Sequence, residues 1–102
     1  MPYTDFDAYV VRLQGGTRTC ANVLCYAGNT LVGTLVFVVD GDTKRPTQDA
    51  EGRVTIYLLP SLLAPTLDVL RNEGPLKLYV NSSLTWGMLM TGEKEPVGEA
   101  EG

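Results

Sequence analysis

A chain of 102 residues with 44% hydrophobic and 20% charged residues is long enough for one core and too apolar to stay disordered. The net charge of −4, the absence of histidine and the scattering of the eight basic residues argue against a nucleic-acid partner and leave out the commonest general base and metal ligand. No apolar run approaches the roughly 18 residues of a membrane span, and "MPYTDFDAYV" lacks the basic and apolar regions of a secretory signal, so the expectation is a cytoplasmic protein without a membrane partner.

Residues 6–14, "FDAYVVRLQ", predict a strand, and Gly15-Gly16 a two-residue turn into a second strand over 17–27. Gly28-Asn29 offers another such turn into a third strand over 30–39. In that register Leu13 faces Arg18, Val11 faces Cys20, Leu24 faces Gly33 and Cys20 faces Phe37. Directly opposed residues share a face. One face then gathers Tyr9, Val11, Leu13, Cys20, Leu24, Tyr26, Leu31, Leu35, Phe37 and Val39. The other gathers Phe6, Ala8, Val10, Ala21, Val23, Cys25, Ala27, Val32, Val36 and Val38. Both faces read as apolar, which raises the question of what covers the second.

Residues 40–52, "DGDTKRPTQDAEG", read as a flexible connector, and their acidic opening does not complete a calcium loop. "RVTIYLL", 53–59, alternates as a fourth strand. Leu63, Leu67 and Leu70, widened by Leu62, Thr66 and Val69, predict one helix within 61–73. Ser61 is its expected N-cap, Pro65 belongs in the first turn, and Gly74 before Pro75 stops it. "LKLYV" and "LTWGMLM" form the last hairpin. A three-residue turn at 81–83, opposing Val80 with Leu84, Leu78 with Trp86 and Leu76 with Met88, collects the apolar residues on one face and is the preferred register. The asparagine of Asn81-Ser82-Ser83 is taken as a turn residue rather than a glycosylation acceptor. The expected architecture is mainly β (α+β): a six-strand antiparallel sheet or small curled barrel, ordered β-β-β-β-α-β-β, in one domain over 1–92 with an acidic tail over 93–102.

Chemistry is sparse. Cys20 and Cys25 have opposite parity in one strand, which disfavours a disulfide, and both read as structural thiols. Asp5 with Asp7, and Asp40 with Asp42, read as turn residues rather than an acid pair. No catalytic residue, cofactor or metal ligand is implied. The expected function is non-enzymatic: self-association, with a dimer favoured, or binding of a protein partner. Val10, Val23, Val32, Val36 and Val38 are the candidate interface, because an apolar patch of that kind marks contact surfaces. The alternative is a small-molecule or peptide module with an aromatic-lined pocket near the helix. Among Tyr9, Tyr26, Tyr57, Tyr79 and Trp86, the candidate ligand contacts are Tyr57, Tyr79 and Trp86, joined by Arg12, Arg18 and Arg53.

Overall fold

The computed structural model describes residues 3–15, 18–39 and 44–92. The described residues are mainly β with one α-helix, and their strands form two sheets that do not close into a barrel. The larger sheet has the order β2-β3-β4-β6-β5, built from Ala8–Leu13, Thr19–Ala27, Thr30–Val38, Val54–Leu58 and the short Thr47–Gln48 (β5). The smaller has the order β1-β7-β8, from Tyr3–Phe6, Leu76–Val80 and Gly87–Thr91. This replaces the expected single six-strand sheet. The predicted first strand is divided at Asp7. Phe6 instead ends a separate strand, Tyr3–Phe6, that was not expected and pairs with β7, and the remainder crosses to the larger sheet and pairs with β3. Asp7 holds that corner: its N–H donates to the Tyr26 carbonyl at 2.9 Å, and its Oδ1 accepts the Gly28 N–H at 3.0 Å.

The Gly28-Asn29 turn forms as expected, with Ala27 opposite Thr30 and Tyr26 opposite Leu31. Gly28 takes φ +61°, the left-handed conformation glycine adopts without a steric cost. Immediately beyond, β4 carries a bulge: Cys25 opposes Gly33 and Val32 is passed over. The bulge moves Gly33 to Phe37 by one residue, which exchanges their faces, until a second irregularity at Cys20 brings Thr19 opposite Val38. The first hairpin differs by three residues, since Leu13 opposes Ala21 rather than Arg18. Gly16 lies outside the described residues, but the flanking pairs belong to a longer loop than a two-residue turn. An odd shift again exchanges the faces.

The corrected register puts Ala21, Val23 and Cys25 beside Leu35 and Phe37, all fully buried, with Val54 and Ile56 continuing the layer on β6. Tyr9 and Val11 pack against its margin. The opposite face holds Ala8, Val10, Arg12, Asn22, Leu24, Tyr26, Thr34, Val36, Thr55 and Tyr57. Arg12, Asn22, Thr34 and Thr55 now sit together there, and Arg12 Nε donates to Asn22 Oδ1 at 3.2 Å. The sheet is thus greasy on one side and mixed on the other. Its apolar side is covered by the smaller sheet and the helix.

β6 runs parallel to β4, not antiparallel. The described part of the preceding connector is structured: β5 pairs with β6, and a turn over 49–52 is held by Asp49, which accepts the Glu51 N–H at 3.0 Å and the Arg53 N–H at 2.9 Å. Asp40 and Asp42 lie outside the described residues. A 3-10 turn, Pro60–Leu62, leads into helix α1, Leu63–Asn72, with Pro65 in its first turn as expected. Leu62 rather than Ser61 occupies the N-cap, because the chain enters through the 3-10 turn, and no side chain caps it. Thr66 and Leu70 are buried, and Leu63, Leu67 and Val69 pack on the core, so the predicted stripe faces inward. The last hairpin pairs Val80 with Gly87, Leu78 with Leu89 and Leu76 with Thr91. The three-residue turn is replaced by a six-residue connection, 81–86.

The sheets meet closely at two glycines. A Cβ on Gly33 would lie 2.5 Å from Leu78 Cδ1 and 3.0 Å from Val54 Cγ2; one on Gly87 would lie 2.8 Å from the Tyr79 carbonyl oxygen and 3.1 Å from Ile56 Cδ1. Leu78, fully buried, fills the space that Gly33 leaves. In urea unfolding, Leu78→Ala is expected to cost about 3 kcal/mol and Gly33→Ala about 2 kcal/mol. The double variant should recover about 1 kcal/mol relative to their sum, because the smaller residue 78 makes room for the new methyl; strict additivity would mean that the two residues do not pack together.

Candidate binding face on the smaller sheet

Strand β7 alternates by burial: Leu76, Leu78 and Val80 point into the core, and Lys77 and Tyr79 point out. The outer neighbours of Tyr79 are Tyr3 on β1 and Met88 on β8. Tyr3 and Tyr79 stack tilted with ring centroids 5.0 Å apart, and Tyr79 and Trp86 do so at 5.1 Å. The row therefore crosses all three strands. It is well exposed, with Tyr3 at 47%, Trp86 at 50% and Met88 at 36% of full accessibility. Lys77 closes its β1 end: Nζ stands 5.5 Å from the Tyr3 ring centre and 3.4 Å from Asp5 Oδ1. Aromatic residues and methionine on one exposed face have the composition that protein contact surfaces favour.

Trp86 is positioned by Asn81. The Asn81 Oδ1 accepts the Thr85 N–H at 2.9 Å and the Trp86 N–H at 3.1 Å, while Nδ2 donates to Ser83 Oγ and Thr85 Oγ1. Asn81 is thus a turn residue, as expected, but of a longer connection.

Strand β8 is the edge of its sheet. Asn81 N–H donates to the Trp86 carbonyl at 3.2 Å, and Gly92 N–H to the Pro75 carbonyl. These pairs bracket the ladder six residues apart, so the hydrogen-bonded pairs between them are Tyr79–Met88 and Lys77–Met90. The backbone N–H and C=O groups of Gly87, Leu89 and Thr91 consequently point away from β7. Alongside them runs a groove of about 470 Å³, walled by β8 on one side and by Leu58, Leu62, Pro65, Thr66 and Val69 on the other. None of its lining side chains is ionisable.

The candidate ligand contacts do not assemble into one site. Tyr79 and Trp86 come together, but on the sheet face away from the core, so the groove beside the helix has aliphatic and methionine walls rather than aromatic ones. Tyr57 is on the outer face of the larger sheet, with Lys44 Nζ 5.8 Å from its ring centre, and Arg12 is on the same face bound to Asn22. Arg53 is held by Asp49 at 2.7 Å and Glu51 at 3.1 Å, beside a smaller recess of about 250 Å³. That pairing holds the Asp49 carboxyl below its usual range, chiefly through the Arg53 hydrogen bond. Arg18 is exposed at the far end of β3, its carbonyl accepting the Val39 N–H.

The candidate interface valines also separate. Val23 and Val38 are buried, Val32 is the half-buried bulge residue, and Val36 is half-buried on the outer face; Val10 stands 47% exposed. Sequence reasoning missed Tyr3, Met88 and the groove residues. The alternation of Lys77 and Tyr79 against Leu76, Leu78 and Val80 carried the signal for the outer face, but the β1 pairing that brings Tyr3 to it is long-range.

Cys25 is fully buried, and burial pushes its thiol up to about 12, so it stays protonated and unreactive at neutral pH. Asp5 lies within β1 rather than in a turn and pairs with Lys77, and Asp7 accepts the Gly28 N–H at the corner. Among the described residues no cluster of metal-ligating side chains occurs, and no helix is long and apolar enough to cross a membrane. Comparison with protein-family models, with curated proteins and with solved structures finds no match for this chain.

Proposed function

We propose that this is a non-enzymatic binding module that engages another polypeptide through its smaller sheet. The observation that carries the reading is the row of exposed Tyr3, half-buried Tyr79 and exposed Trp86 with Met88, which crosses the sheet to an edge strand whose outward backbone groups have no strand neighbour among the described residues. Rigid aromatics lose little side-chain freedom on contact and dominate the energetics of interfaces. The acidic net charge and the absence of histidine point the same way, away from nucleic acid and from acid–base chemistry.

Self-association is the second reading. It rests on Val10, exposed on the outer face of the larger sheet beside half-buried Leu24 and Val36. The corrected register weakens it, since Arg12, Asn22, Thr34 and Thr55 share that face. Sedimentation equilibrium at micromolar protein separates the two: the first reading expects a monomer, and the second a dimer dispersed by Val10→Glu.

Selection of a displayed library of random twelve-residue peptides on the immobilised protein tests the first reading. Enriched ligands are expected to weaken at least tenfold, about 1.4 kcal/mol, on Trp86→Ser and on Met88→Ser, and to be indifferent to Val10→Ser. Failure to enrich any ligand, or ligands indifferent to the Trp86 and Met88 variants, would contradict it.

A further inference from the structure

Resting on that reading, we infer that the partner is an extended, uncharged apolar peptide segment that adds as a strand to β8 and fills the groove beside α1. The other three sheet edges carry features that discourage pairing. β2 bears Arg12, β1 bears Asp5, and β5 is two residues long with the Asp49–Arg53 ion pair at its end. β8, "GMLMT", has neither charge nor proline along its length. Its open side offers the N–H and C=O groups of three alternate residues, Gly87, Leu89 and Thr91, which is the hydrogen-bonding pattern a fourth strand requires.

The groove determines the chemistry of that strand. At about 470 Å³ it falls within the roughly 300–1,000 Å³ of ligand pockets. A strand about 4.8 Å from β8 turns alternate side chains toward the inner face, against Leu62 and Val69, and the others toward the outer face beside Met88 and Met90. With no ionisable group lining the groove, a charge facing it would be buried without a partner, so the inward positions must be apolar.

A second copy fits this edge less well. Pairing β8 with itself engages about five residues from each chain, whereas stable interfaces take roughly 20–30 a side. It would also bring a second α1 to the same side of the joined sheet, where one helix already walls the gap.

The same displayed library supplies the probe. Enriched peptides should show alternating apolar positions, and N-methylation of the alternate residues that bond to β8 should weaken binding at least tenfold. Two protein variants target the edge and the groove. Thr91→Pro removes one outward N–H at an edge position that tolerates proline, and Pro65→Glu places a carboxylate in the groove wall within the first helical turn, where the dipole favours it. Each should weaken binding at least tenfold with unchanged far-ultraviolet circular dichroism. Ligands that respond to Trp86→Ser but not to Thr91→Pro, Pro65→Glu or N-methylation would overturn strand addition and leave the binding module standing. A library from which nothing enriches would overturn both.

Discussion

The packing of Leu78 into the space left by Gly33 is the contact on which the rest of the molecule depends. It seats the smaller sheet on the larger at a separation that a side chain on residue 33 would not permit. With Gly87 against Ile56, it determines where β8 lies, and so which of its edges is free and how far α1 stands from it. The buried layer of Val23, Leu35, Phe37, Ile56 and Leu78 is continuous across the two sheets. Burial of these side chains, at about 1.5–3 kcal/mol each, supplies the stability. The aromatic row lies on the outer face of the same strands, and the open edge lies beside the helix, where Val69 and Leu89 pack on that core.

Several elements were legible in the sequence. The Gly28-Asn29 hairpin, the alternation of 54–58, and the helix with Pro65 in its first turn all follow from local chemistry and appear in the structure. The registers were not. Because side chains alternate with a period of two, any odd error exchanges the faces of a strand. The first hairpin is three residues out of the expected step, and the Val32 bulge adds one more in β4. Where Val and Leu alternate with Val and Ala, hydropathy gives nearly the same score in either register. The supposed second apolar face was largely a product of that degeneracy. With the bulge and the longer loop in place, Arg12 meets Asn22 and the polar residues gather on one side.

Long-range pairing explains the remaining differences. Nothing local marks Asp7 as the point where a strand leaves one sheet for another; its role is visible only once Gly28 and Tyr26 stand beside it. The parallel β4–β6 pair likewise joins strands separated by a long connection. At the binding face, Tyr79 and Trp86 were identifiable as candidates, and Tyr3 was not, since its place beside Tyr79 depends on β1 pairing with β7 across most of the chain. The charge of Arg12 and Arg53 does not reveal that each has its own partner nearby, Asn22 and Asp49.

The account requires that β8 be bonded on one side and open on the other. Amide hydrogen exchange followed residue by residue on the isolated protein measures this directly. The N–H groups of Met88 and Met90, which point to β7, should be protected, and those of Leu89 and Thr91, which point outward, should exchange orders of magnitude faster. Equal protection along the whole strand would show that the edge is already occupied, and the proposed binding site would not exist.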